Sequence, residues 1–429
     1  MRRYFVSSLF LAFCVTLCAT VDFDTHFSDN TLRLDYSFCG DRASQQVFLD
    51  ELIVSEGWYG RRVNLDRLLL DGNGQVIVTD TLGHDTLYIY SFSTLFQEWL
   101  TYEESTRVRR SFENSLLVPF PRHAVDVTVR LFDTHHRVTA CLTHRVNPSD
   151  ILIRHAGERH ERWRYVLRNG DSKEKIDVAF VAEGYTESEM GTFYKDCDVA
   201  IKSILSHEPF KSMSDRFNFI AVPSPSAQSG ITVPHDGKWL DTALKSHYDT
   251  FYTDRYLTTL KVKNLHNILA GIPYEHIFIL ANTETYGGGG IYNSYTISSV
   301  HNSRSLPVIV HEFGHAFGGL ADEYFYDDMD ECWYPADTEP WEPNITTLVD
   351  FSLKWRDMLS PSALRSIPTK ADGKEVYTRI GVYEGAGYQS KGAYRPVQEC
   401  RMKINEAPAF CPVCQRAIRR MIEYHTDEQ

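Results

Sequence analysis

His311, Glu312 and His315 stand in the run Ser305-Leu-Pro-Val-Ile-Val-His-Glu-Phe-Gly-His-Ala-Phe-Gly-Gly-Leu-Ala-Asp-Glu-Tyr324, and their types and spacing suit one kind of chemistry. On a helix the two histidines are one turn apart, so both imidazoles leave the same face. Two neutral imidazoles so placed can hold one zinc ion. Glu312 is turned about 100° from His311 around a helix of 3.6 residues per turn. There it can take a proton from a zinc-bound water and later pass one to a leaving amine without itself ligating the metal. Ser305 is expected to cap this helix, with Pro307 in its first turn. Gly318 and Gly319 can end it in a left-handed turn, so that the chain doubles back. Asp322 then arrives as the first choice for a third ligand, with Glu323 as the alternative. The fourth position would be left open for water, as catalytic zinc requires. One zinc ion per chain is therefore expected. The plain reading, two surface histidines on an ordinary helix, explains neither the paired glycines nor the paired acids.

Other residues can be fitted around this centre. Gly287 to Gly290 precede Ile291 to Ser299, a segment of strand composition expected to be an edge strand that lines a cleft and pairs with substrate backbone. Met402 in Cys400-Arg-Met402 is a candidate for a methionine beneath the metal. Tyr324, Tyr383, Tyr388 and Tyr394 include candidates for an oxyanion donor, although each alone also suits ordinary packing. Glu384 and Arg395 read as an ion pair. His235, His247, His266, His276 and His301 have no spaced partner and read as structural. Cys332 has acidic neighbours and no base motif, which argues against a nucleophile. Asn344-Ile-Thr346 matches a glycosylation acceptor, relevant only in a eukaryotic secretory route.

The elements that must position these residues fall into two stretches. Leu32, Leu34, Tyr36 and Phe38 alternate with polar residues, as do Val125, Val127, Val129 and Leu131. Asp71-Gly-Asn-Gly74 reads as a hairpin turn before Val76 to Val78, and Asp133 to His136 as another before Val138 to Leu142. Residues 21–150 are therefore expected to form a small antiparallel β-sandwich. After Asn147-Pro-Ser-Asp150, Ile176 to Val181, Phe217 to Val222 and His276 to Ala281 are apolar strand candidates. Thr186 and Glu189 form a capping box before Met190, Phe193, Cys197, Ala200, Ile201, Ile204 and Leu205 at helical spacing. Strand, helix, strand in that order predicts an α/β unit over residues 151–429.

The chain has 429 residues, 43% hydrophobic, 24% charged and 13% aromatic, a balance that excludes a disordered or repetitive polymer. A net charge of −13 repels phosphate backbones and argues against nucleic-acid binding. Arg2 and Arg3, the apolar stretch Tyr4 to Leu17, and Ala19 and Thr20 make residues 1–20 a secretory leader too short for a membrane span. A lipid anchor on Cys18 is disfavoured because Leu17 precedes it. The expected location is secreted, periplasmic or at the cell surface, with no stable membrane span. Removal of the leader leaves seven cysteines: Cys39, Cys141, Cys197, Cys332, Cys400, Cys411 and Cys414. With no second Cys-x-x-Cys to complete a zinc ribbon, a disulfide from Cys400 to Cys411 or Cys414 is expected.

Val181-Ala-Glu-Gly-Tyr185, the glycine run, His311 to Tyr324, Tyr383-Glu-Gly-Ala-Gly-Tyr388, Tyr394-Arg-Pro396, Cys400-Arg-Met402 and Phe410-Cys-Pro-Val-Cys414 together resemble the IgA peptidase family of secreted bacterial zinc metallopeptidases. The resemblance spans most of residues 175–425, and the β-rich first stretch is similar to that family's N-terminal domain. It implies a metzincin-like zinc peptidase domain split by a cleft, zinc held by His311, His315 and Asp322, Glu312 as general base, and Met402 under the metal. In metzincin-type peptidases the third ligand lies six residues after the second histidine. Here that position is Ala321, and the acid comes one residue later. The expected function is zinc-dependent endopeptidase action on a protein or peptide substrate. The alternative is a cell-surface protein or glycan binding protein whose metal site is vestigial or structural.

Overall fold

The computed structural model describes residues 21–156, 162–327 and 333–427. The leader over 1–20 and Cys332 lie outside these residues. Eight strands come first: β1 (Phe27–Asp41), β2 (Ser44–Glu56), β3 (Gly74–Asp80), β4 (Thr86–Phe92), β5 (Arg110–Pro121), β6 (Val125–Phe132), β7 (Val138–Val146) and β8 (Arg154–His155). They make two four-stranded sheets, β5-β1-β2-β8 and β4-β3-β6-β7, antiparallel except where β8 joins β2. Leu32, Leu34, Tyr36 and Phe38 of β1 share one buried cluster with Val76, Val127, Val129 and Leu131 of the other sheet. Period two is what brings these faces together. Asp133 to His136 do close a hairpin, with Asp133 Oδ1 accepting from the His135 and Arg137 amides. Asp71 to Gly74 do not: they lead from an irregular segment into β3, whose neighbours are β4 and β6.

Alternation also breaks at Arg33 and Asp35, which point away from that cluster yet are buried. They lie under the second half of the chain. The Arg33 guanidinium pairs with Asp35 at 2.6 Å, and donates to Asn267 Oδ1 at 2.8 Å and to the Lys263 carbonyl at 3.2 Å.

The second half is built on β9 (Arg164–Leu167), β10 (Ile176–Glu183), β11 (Phe217–Val222), β12 (His276–Ala281), β13 (Gly288–Ile291) and β14 (Tyr295–Ser299). Their order is β13-β14-β12-β10-β11-β9, parallel through the middle with an antiparallel strand at each edge. The inner strands are buried at every position, as continuous apolar runs covered on both faces must be. The helix Met190–Ile204 follows β10, and its capping box forms: the Thr186 amide donates to Glu189 Oε2 at 2.7 Å. The helix Ser305–Ala316 carries the His-Glu motif, and Pro412–Thr426 is the C-terminal helix. Phe313, Phe317, Met402, Phe410 and Ile418 join the two in one buried cluster. Ser305 is the first helical residue and not the cap; its Oγ is buried without a hydrogen-bond partner. A fourth, three-stranded sheet, in the order β15-β17-β16, contains β15 (Phe325–Tyr326), β16 (Tyr383–Ala386) and β17 (Tyr388–Arg395).

The edge strand is the glycine run itself, Gly288–Ile291, and Tyr295–Ser299 lies one place inside it. Its outer side is not fully open, because Tyr256 bridges Gly288. A cavity of about 100 Å³ lies where the two halves meet, bordered by Arg33, Tyr88, Glu275, His276 and Tyr424, away from the motif helix. Among the described residues no helix is long and apolar enough to cross a membrane.

Candidate active site

The helix Ser305–Ala316 places His311 and His315 on one face, with Nε2 atoms 3.0 Å apart. Past its end, Gly319 adopts φ +60°, its amide donating to the His315 carbonyl at 3.0 Å and that of Leu320 to the Gly314 carbonyl at 3.2 Å. This left-handed turn sends the chain back along the helix. Asp322 Oδ1 then lies 3.0 Å from His311 Nε2 and 3.3 Å from His315 Nε2. Three donors about 2.0–2.1 Å from a tetrahedral zinc would be about 3.3–3.4 Å apart, so this triangle has the dimensions of three zinc ligands. A carboxylate oxygen of Glu312 comes within 4.8 Å of both imidazole ligand atoms. Glu323 points the opposite way and does not join this group.

Each donor is held from behind. His311 Nδ1 lies 2.9 Å from the Arg401 carbonyl and His315 Nδ1 2.5 Å from the Leu320 carbonyl. A carbonyl only accepts, so each Nδ1 carries a proton and each Nε2 is the nitrogen left to face a metal. The Tyr388 hydroxyl donates to Asp322 Oδ2, which leaves Oδ1 to face the histidines. Met402 is buried beneath the helix: a Cβ on Gly314 would sit 2.8 Å from its sulfur. The glycine run packs on the other side. A Cβ on Gly290 would sit 2.3 Å from the Glu312 carbonyl oxygen, and one on Gly288 2.9 Å from Glu312 Oε1. No residue with a side chain fits between that strand and the helix, which is why Glu312 has a fixed place.

Burial acts to raise the Asp322 carboxyl, but the two imidazoles facing it prevail and hold it well below the usual carboxylate range. Burial acts to lower His315, and the Asp322 charge outweighs it, bringing the imidazole up to about 9. Burial raises the Glu312 carboxyl. The meeting point of the three donors is therefore short of positive charge, and the residues present fit a divalent cation there.

Sequence reasoning missed the contribution of the first half. Glu98, in the short helix Leu95–Trp99, accepts from the Tyr256 hydroxyl at 2.5 Å and is pushed up to about 7 by burial. It thereby fixes the segment that bridges Gly288. Arg255, next to it, is exposed and donates to the Tyr326 hydroxyl at 2.9 Å. Nothing in the spacing of these residues points to the motif helix.

Several expectations change. Arg395 does not pair with the Glu384 carboxylate; its guanidinium donates to the Glu384 carbonyl at 2.8 Å and to the Gly385 carbonyl. Tyr383 donates to the Arg379 carbonyl at 3.3 Å, away from the motif, while Tyr324 packs against Tyr388. The expected disulfide is absent: Cys400, Cys411 and Cys414 are free thiols, with 3.8 Å between the sulfurs of Cys400 and Cys414 against about 2.0 Å for a bond. The Asn344 amide is 0% exposed and fully used, exchanging hydrogen bonds with the Ala321 backbone and donating to Glu323 Oε1. His235, His266 and His301 find partners in Asp249, Tyr274 and Asp196. Glu183, in the quoted run Val181 to Tyr185, is buried and anchors a loop by accepting from Thr242 Oγ1 and the Leu244 and Ser246 amides.

A family model described as IgA Peptidase M64 matches residues 165–379 and 371–422 of the chain. A second, described as Peptidase M64 N-terminus, matches residues 22–143. No curated protein matches the chain.

Proposed function

We propose that the chain, which belongs to the IgA peptidase M64 family and is therefore a peptidase, is a zinc-dependent endopeptidase of metzincin-like build. The observation that carries this reading is the convergence of His311 Nε2, His315 Nε2 and Asp322 Oδ1 to within 3.0–3.3 Å beside the Glu312 carboxylate. Those three residues would hold one zinc ion. When bound, zinc supplies Lewis acidity for the scissile carbonyl and acidifies the attacking water. Glu312 accepts the proton of that water and delivers it to the departing nitrogen, two transfers made by one carboxylate held against the glycine strand. Arg401 and Leu320 keep the histidine protons on Nδ1 throughout. Tyr388 is occupied by Asp322, so its part is to orient that carboxylate. Met402 forms the floor. The leader-like residues 1–20 support an exported enzyme acting on protein or peptide substrates, and the stretches 21–150 and 151–429 support a β-sandwich domain followed by the catalytic domain.

The test is cleavage of a mixed peptide library, read by mass spectrometry. Cleavage should stop with a zinc chelator and return with added zinc. Glu312→Gln should keep its zinc and lose about 10²- to 10⁴-fold in rate, the range a positioned general base supplies. Turnover at the wild-type rate by that variant would overturn the assignment.

A further inference from the structure

Behind the candidate active site, four side chains with metal-ligand chemistry meet and take no part in the reaction above. Glu323, Cys400, Cys411 and Cys414 are all buried, and each places one ligand atom within 4.8 Å of the other three. Glu323 is 0% exposed. Its Oε1 accepts from Asn344 Nδ2 at 3.0 Å and from the Cys414 thiol at 3.1 Å, but its Oε2 is buried without a hydrogen-bond partner. A buried carboxylate keeps its charge only beside a cation or with a full set of donors. The nearby Arg395 does not serve, since its guanidinium is spent on the carbonyls of Glu384, Gly385 and Gln398.

The sulfurs are arranged to ligate. Cys411-Pro-Val-Cys414 opens the C-terminal helix, and Cys411 Sγ accepts from the Cys414 amide at 3.5 Å. Cys400 Sγ accepts from the Cys411 amide at 3.2 Å. Amide donors and a helix N-terminus both favour thiolate over thiol. With zinc–sulfur bonds of about 2.3 Å, tetrahedral geometry puts two sulfurs about 3.8 Å apart. The Cys400 and Cys414 sulfurs are 3.8 Å apart.

We infer that Glu323, Cys400, Cys411 and Cys414 hold a second, structural zinc ion, closed by three thiolates and one carboxylate and separate from the catalytic site. Binding releases the three thiol protons to solvent, and no electron changes hands. The ion joins three segments that the active site depends on. Glu323 follows Asp322 directly, and its amide donates to the Met402 carbonyl at 2.8 Å. Cys400 precedes Arg401, whose carbonyl orients His311. Cys411 and Cys414 begin the helix packed beneath. The chain would then carry two zinc ions where the sequence predicts one.

The test uses the full chain purified without added metal. Elemental analysis should find about two zinc ions in the wild type and about one in the double variant His311→Ala, His315→Ala. Growth of that double variant with cobalt should give a thiolate-to-metal charge-transfer band in the near ultraviolet, lost on adding Cys411→Ser and Cys414→Ser. Because the cysteine variants can fail to fold, the wild type is also denatured in chelator and alkylating agent without reductant, then digested with trypsin. Peptides 392–401 and 404–416 should carry the alkyl group on every cysteine. Recovery of these peptides joined, or of 404–416 closed on itself, shows a disulfide and overturns the proposal. So does a wild type whose only zinc disappears with His311 and His315.

Discussion

The Tyr388 hydroxyl decides which oxygen of Asp322 faces the histidines, and it does so from a side chain 66 residues further along the chain. Such a partner behind a metal ligand typically contributes 10- to 100-fold in metal affinity. Tyr388→Phe should therefore bind zinc about 10- to 100-fold more weakly in competition with a chromogenic chelator, while its circular dichroism stays that of the wild type. Unchanged zinc affinity would remove Tyr388 from the site. At this scale much was legible in the sequence. Histidines one helical turn apart with a glutamate between them share a helix face in the structure as the spacing predicts, because a helix turns 100° per residue whatever surrounds it. The choice between Asp322 and Glu323 was not legible, because adjacent residues leave a chain in opposite directions and spacing does not say which direction faces the histidines. In the structure Asp322 faces them and Glu323 faces the sulfurs.

The glycine strand and the motif helix act as a unit, since a Cβ on Gly290 would lie 2.3 Å from the Glu312 carbonyl. Backbone cannot rotate aside, so Gly290→Ala must push strand and helix apart. A shift of about 1 Å in a catalytic group can cost about 100-fold in rate. Gly290→Ala should therefore lose one to two decades of kcat/KM and melt several degrees lower. Gly191, inside the helix Met190–Ile204, has no atom within 4 Å of its would-be Cβ. Gly191→Ala should raise stability by about 0.5–1 kcal/mol in urea unfolding, with activity unchanged. If both variants behaved alike, close packing would not be what glycine serves at 290. The elements themselves were largely predictable: the capping box, the buried strands and the alternating strands stand where the pattern puts them. The edge strand was not, because glycine is depleted in strands; Gly288 and Gly290 are required there by the helix they face, and Gly289 by the Leu257 carbonyl oxygen, 3.0 Å from its would-be Cβ on the other side.

At the scale of the whole molecule, the two halves share buried polar contacts that no local pattern reveals. Arg33 and Asp35 in β1 read as outward-facing and are instead sealed under the helix Val262–Ile268. His266 of that helix is buried against the Tyr274 hydroxyl at 2.7 Å, and burial brings it down to about 3. Its unfolded value is near 6.5. Above pH 6.5 it is neutral in both states and costs nothing. Between about 6.5 and 3 the unfolded chain binds a proton that the folded chain refuses, so stability falls as pH falls, by about 1.4 kcal/mol per unit. His266→Gln should flatten the pH dependence of the urea midpoint between pH 6 and 4 by one proton; an unaltered slope would contradict this burial. Long-range meetings of this kind, like that of Glu323 with three cysteines, are set by topology and not by spacing. The same topology has a consequence for the timing of synthesis. The carbonyl that orients His311 belongs to Arg401, and the floor of the site belongs to Met402 and the helix Pro412–Thr426. A ribosome must therefore have made the chain as far as this helix before the candidate centre can assemble, and a nascent chain that stalls before Arg401 lacks both that carbonyl and that floor.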